Sequence, residues 1–78
     1  MDRDGLEKVL MRLRRQRDEA ETLAAGALER LARLASGLTP LSDLNADEIE
    51  GAADDLAAAV RKYQLLDQVG GEVRQLLI

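Results

Sequence analysis

The stretch SGLTPLSDLNADEI, residues 36–49, interrupts an otherwise helix-forming chain and decides its fold. Ser36-Gly37 predicts the end of a first helix, because glycine readily adopts the left-handed conformation that closes helices. The chain's single proline, Pro40, stands among Thr, Ser and Asp, which is turn composition with room for one helical turn opened by Thr39-Pro40. We therefore predict one domain, 1–78, with a helix over about 4–36, a loop over 37–45 and a helix over about 46–77.

Capping boxes mark both predicted helix starts, at Asp4 with Glu7 and at Asn45 with Glu48. At the second start, a leucine and an isoleucine on either side of the box add a hydrophobic staple. Acidic residues in the first turn also suit the positive end of the helix dipole. The boundary at Asn45 is thus indicated by three independent signals.

Both segments repeat apolar residues in a heptad pattern, which is typical of coiled-coil packing. We predict an all-α, antiparallel two-helix hairpin in which the two seams face each other, Ala24 opposite Ala59 and Leu34 opposite Ile49, so that large residues mostly meet small ones. Arg17 and Gly70 are the two seam members out of character. The seam residues are Leu6, Leu10, Leu13, Arg17, Ala20, Ala24, Ala27, Leu31 and Leu34, then Ile49, Ala52, Leu56, Ala59, Tyr63, Leu66, Gly70, Val73 and Leu77.

Opposite charges flank the seams in this register. We expect ion pairs between Glu7 and Arg74, between Arg14 and Asp67, and between Arg30 and Asp55. Surface pairs of this kind contribute only about 0–1 kcal/mol each, so they mark the register more than they stabilise it.

Gly70-Gly71 weakens the second helix, since each glycine costs roughly 1 kcal/mol in a helix interior. The apolar pattern continues through the two glycines in phase, which favours an unbroken helix. The alternative is a break that starts a short third helix, Glu72 to Ile78.

The composition excludes several functional classes. The chain of 78 residues contains neither cysteine nor histidine, so nucleophilic triads and the usual zinc sites cannot form. We expect no enzymatic activity, no cofactor or metal, and no small-molecule substrate. The apolar runs are too short for a membrane span, and the charged N-terminus lacks the apolar stretch of a signal peptide, so we expect a cytoplasmic protein. The net charge of −4 argues against nucleic acid as the partner.

The Arg12–Arg17 cluster is the basis of an alternative function, that of a nucleic-acid-associated regulator. Successive helical positions point in different directions, so these arginines do not form one flat basic surface. An acidic run, Asp18-Glu19-Glu21, follows immediately. We therefore expect a solvated, paired helix face rather than a phosphate-binding patch.

Apolar residues outside the seams point to protein partners. They follow one side of the hairpin near the loop and the other side near the termini, and would leave an unusually large exposed patch on a monomer. We predict a homodimer that forms a four-helix bundle, a groove for another protein's helix, or both. The predicted partner-binding residues are Leu28, Ala32, Ala53, Val60, Val9, Leu65, Val69 and Leu76.

The predicted function is accordingly a small cytoplasmic interaction module of bacterial type: an adaptor, a binding chaperone or a subunit of an assembly. The chaperone option is an analogy of fold alone, since small cytosolic helical hairpins that chaperone secretion-system subunits are similar in size and shape.

Overall fold

Two long α-helices, α1 (Arg3–Leu34) and α2 (Ala46–Leu76), make up most of the computed structural model, which describes residues 2–37 and 39–77. They pack side by side in antiparallel orientation and form a rod of 59 × 14 × 13 Å between Cα atoms. The predicted all-α hairpin is therefore confirmed. Leu38, which begins the predicted turn, and Ile78, which would end the alternative third helix, lie outside the described residues.

The two N-caps differ in how well the sequence predicts them. Asn45 caps α2 as expected, because its Oδ1 accepts a hydrogen bond from the Glu48 amide at 3.2 Å. The prediction of Asp4 as the cap of α1 is wrong: Asp2 caps the helix and accepts from the Gly5 amide at 2.6 Å. Capping at Asp2 adds residues to the helix and leaves Asp4 in its first turn, where the helix dipole still stabilises its charge.

The connection between the helices follows the turn chemistry of its sequence. α1 ends at Leu34, two residues before the predicted end, and the Ser36 amide then bonds to the Arg33 carbonyl at 3.3 Å, which tightens the last turn. Gly37 has a φ of 79°, the left-handed conformation expected of it. A short 3-10 helix (Leu41–Asp43) follows Pro40, where the sequence predicts room for one helical turn.

The interface between α1 and α2 is the predicted heptad seam. Every predicted seam position is buried or half-buried. The buried positions among them are Leu10, Ala20, Ala27, Ala52, Ala59 and Gly70, and the others are half-buried. The heptad period therefore assigned the packed face of each helix correctly.

α2 runs without interruption through Gly70 and Gly71, so the alternative of a break is wrong for the described residues. The helix continues because its seam contacts continue: Gly70 is buried against α1, and Val73 and Leu77 beyond it are half-buried. The packing of these apolar positions offsets the conformational cost of the two glycines.

Candidate interaction surfaces

The core of the hairpin is built from small side chains. Apart from Leu10, its buried apolar residues are all alanines, and no large side chain in the described chain is less than 2% exposed. Small seam residues let two helices approach closely, but each removes little apolar area from water. The seam therefore gives this hairpin a thin core for its length.

Large apolar side chains lie instead on the outside. The side chains of Leu28, Leu65 and Leu76 are 54%, 60% and 71% exposed, and that of Val60 is 37% exposed. Ala32 and Ala53 are exposed as well, whereas Val9 and Val69 are half-buried at the edge of the seam. All eight predicted partner-binding residues thus retain accessible surface, although nothing in the structure shows what they bind.

The residues near the loop share one side of the hairpin. Val60 lies across the seam from Glu21, and both line a shallow hollow with Ala24 and Tyr63. Residues at helical spacing from Glu21 and from Val60 extend the same side toward the loop. We call this side of the hairpin the alanine face; it comprises Ala25, Leu28 and Ala32 of α1, Ala35 directly after α1, and Ala53, Ala57 and Val60 of α2.

The residues near the termini occupy the opposite side. Leu23, Arg30, Asp55 and Lys62 surround a hollow on the other edge of the seam. Ala58 lines the same hollow. Continuing by whole heptads from Leu23, Ala58 and Lys62 toward the termini reaches an apolar group that we call the terminal face. It comprises Val9, Leu65, Val69 and Leu76. The eight predicted residues therefore form two separate surfaces.

Sequence reasoning missed three exposed apolar side chains. Leu23 is 63% exposed, Met11 64% and Leu41, in the 3-10 turn, 88%. Leu23 and Met11 carried a usable signal, because each is a large apolar residue at a helical position outside the seam. Leu23 lies on the same side of the hairpin as the terminal face and extends it toward the middle of the rod.

Only one of the three predicted interhelical ion pairs forms. Arg30 bonds to Asp55 at 2.8 Å as expected. The Glu7–Arg74 prediction is wrong, since Glu7 bonds to Arg3 one turn earlier in its own helix at 3.3 Å. The Arg14–Asp67 prediction is also wrong, because the carboxylate of Asp67 is taken by a neighbouring arginine.

That neighbour is Arg17, the charged member of the α1 seam. Its guanidinium donates to Asp67 Oδ1 at 3.0 Å and lies 5.9 Å from the centre of the Tyr63 ring. The hydrogen bond to Asp67 raises the pKa of Arg17 above its ordinary value. Its Nε is buried and has no hydrogen-bond partner among the described residues. The Arg17 guanidinium thus lies at the edge of the seam, where it pairs with Asp67 and the side chain remains 29% exposed.

The remaining arginines do not form a uniform basic surface. Arg14 and Arg15 line a shallow hollow that also contains Asp18 and Glu19. Opposite charges therefore alternate within one helix face, as expected from the acidic run after the cluster. An anionic backbone approaching this face would meet carboxylates beside the guanidinium groups, which lowers its electrostatic attraction.

Within residues 2–37 and 39–77, no three acidic side chains come together in an arrangement that could hold a metal ion. Neither helix contains a window that is both long and apolar enough to cross a membrane.

Comparison of the chain with protein-family models, with curated proteins and with solved structures found no match.

Proposed function

We propose that this protein is a cytoplasmic interaction module that binds helices of protein partners through its two apolar faces. In this role it serves as an adaptor, a binding chaperone or a subunit of an assembly. The observation that carries the proposal is the distribution of apolar bulk: alanines fill the core, while leucines and a valine stand exposed on the alanine and terminal faces.

The total surface of the chain supports the same proposal. A compact monomer of 8.5 kDa exposes about 4700 Å². This hairpin exposes 6059 Å², which is about 1400 Å² more than the surface expected of a compact monomer of the same mass. A standard protein–protein interface removes about 800 Å² from each partner, so a bound chain would account for much of the difference.

The shape of the faces favours helices as partners. Side chains on the alanine face follow each other at three- and four-residue spacing on two adjacent helices, with a groove between them. Such parallel ridges accept the ridges of another helix. An amphipathic helix laid in the groove would place its apolar stripe against this surface.

Paired variants of the terminal face test the proposal. The tagged protein is purified from its native cells, and the proteins that copurify in stoichiometric amount are compared with those of Leu76→Glu and Gln75→Glu. Both variants add one negative charge at neighbouring exposed positions, but only Leu76 belongs to the terminal face. We expect a partner that is retained by Gln75→Glu and lost by Leu76→Glu, with its affinity then measured by calorimetry on purified components.

Retention of every partner by Leu76→Glu, and by Leu28→Glu on the alanine face, would contradict binding through apolar faces. Circular dichroism of each variant shows whether the hairpin remains helical. No observation on the described residues favours the nucleic-acid alternative, since carboxylates lie beside the guanidinium groups of Arg14 and Arg15.

A further inference from the structure

We propose that the alanine face is covered by a second copy of this chain, in a dimer whose two loops lie at the same end. The inference builds on the proposed function, because it names the occupant of one of the two apolar faces. The terminal face then stays available for a different partner. Three observations support this arrangement: the area of the face, the position of its apolar half and the order of its charges.

The area requires contact along the whole rod. α1 contains 32 residues, so it is about 48 Å long, and two helices side by side are about 20 Å wide. One side of the hairpin therefore offers about 1000 Å², compared with the roughly 800 Å² that each partner of a stable complex buries. The apolar residues of the alanine face occupy only the half of this side near the loop, and that half alone offers less than half of the 800 Å². Overlap of only the loop-proximal halves is too small.

The position of the apolar half then decides the orientation. In a full-length dimer with loops at opposite ends, the alanine half of one copy would cover the charged half of the other, around Glu7 and Arg14 of the partner subunit. With loops at the same end, the two alanine halves meet, and α1 of each copy lies beside α2 of the other. In a dimer that uses the full length of the rod, only this second orientation buries the apolar half of one copy against the apolar half of the other.

The charges near the termini fit the same orientation. On this side of the hairpin α1 carries Glu7 and Arg14, and α2 carries Arg74 and Asp67 at matching heights. Among the described residues, Arg14 and Arg74 form no ion pair within the chain. Asp67 and Glu7 each use one carboxylate oxygen within their own chain, Asp67 for Arg17 and Glu7 for Arg3. In the dimer, Arg14 approaches the other oxygen of Asp67 of the partner subunit, and Arg74 approaches the other oxygen of Glu7 of the partner subunit. The half of the face that lacks apolar side chains is therefore complementary in charge.

The side chains of the alanine face also permit close packing. Alanines at most of its positions allow helix axes to approach to the short end of the usual 8–10 Å range. Leu28 and Val60 are the two larger residues and can insert between alanines of the opposing copy. The resulting four-helix bundle keeps the seam within each hairpin and adds an alanine-rich layer between the two hairpins.

Light scattering at micromolar concentration tests the dimer. We expect the wild-type chain at twice its mass of 8.5 kDa. Leu28→Glu should give a helical monomer. Leu23 is another exposed leucine, on the opposite side of the hairpin, so Leu23→Glu should leave the dimer intact. If Leu28→Glu unfolds, Arg14→Glu with Arg15→Glu as its matched control replaces it. Arg14→Glu should weaken the dimer about tenfold or more, and Arg15→Glu should not.

Cysteine cross-linking tests the orientation. Chains carrying only Ala32→Cys are mixed with chains carrying only Ala53→Cys, so that a disulfide between them must join two molecules. Loops at the same end bring these positions together, whereas a full-length dimer with loops at opposite ends would instead cross-link Leu28→Cys chains to Glu7→Cys or Arg14→Cys chains.

A wild-type monomer at these concentrations, or equal dissociation by Leu23→Glu and Leu28→Glu, would overturn the dimer. Either result leaves the proposed function intact, because the Leu76→Glu and Gln75→Glu comparison measures partner binding independently. A partner lost through Leu76→Glu from a monomeric chain would mean that the module binds other proteins without pairing.

Discussion

Replacing Gly70 with alanine should stabilise the hairpin, although Gly70 is buried in the seam between the helices. A Cβ built at this position meets only Leu10 Cδ1, at 4.0 Å, which is an ordinary van der Waals distance. The interface therefore has room for the added methyl group. The packing of α1 against this position therefore does not require a glycine.

Two terms contribute to the expected gain. Alanine lowers the conformational cost of the helix by about 0.5–1 kcal/mol relative to glycine. Burial of the new methyl group adds up to about 0.8 kcal/mol. The free energy of unfolding should therefore rise by about 0.5–2 kcal/mol, and in a domain of this size each kcal/mol raises Tm by about 4–8 °C.

Thermal and urea unfolding, followed by circular dichroism at one fixed protein concentration, measures the change. The fixed concentration matters because self-association would itself shift Tm. Gly71→Ala is the matched control: no atom lies within 4 Å of its Cβ, so it should show the helix term alone. Gly37→Ala should have the opposite sign, since its φ of 79° is strained for any side chain. A Gly70→Ala variant less stable than wild type would refute the packing described around Leu10.

Three further predictions concern the cap, the seam and the arginines. Asn45→Ala should lower the free energy of unfolding by about 0.5–2 kcal/mol, because the Glu48 amide loses its acceptor, and an unchanged urea midpoint would contradict this. Cysteines at Ala24 and Ala59 should form a disulfide within one chain, visible by non-reducing electrophoresis at high dilution; exclusively intermolecular bonds would argue against the hairpin. DNA or RNA should bind weakly at physiological salt in fluorescence anisotropy, and micromolar binding abolished by alanine substitutions in the Arg12–Arg17 cluster would instead support the nucleic-acid alternative.

The seam was predictable from the sequence because burial follows directly from periodicity. A heptad of apolar residues defines one face of a helix whatever lies around it, and the antiparallel partner face followed from the short loop. Helix continuity at Gly70-Gly71 was predictable for the same reason, since the pattern kept its phase across them. These features depend on many residues, so one unusual member does not change the outcome.

Features that depend on single side chains were harder to predict. Arg14 and Arg17 are close enough in sequence for either to reach Asp67, and only the three-dimensional path of the seam arginine decided between them. Asp2 and Asp4 are both good helix caps, and their order along the chain does not rank them. The interaction faces could be located from their apolar residues, but their occupants could not, because apolar surfaces carry no chemical motif.

Arg17 has a consequence for which alignments of the two helices are allowed. A seam of leucines and alanines tolerates sliding by a whole heptad, since each step replaces one apolar residue with another. Sliding α2 by one heptad would bring either Val60 or Arg74 to the place of Asp67, leaving the guanidinium beside an apolar group or a like charge. The single charged residue in the seam thus penalises the misaligned hairpins that the alanines would permit, much as a lone polar residue selects one pairing in coiled coils.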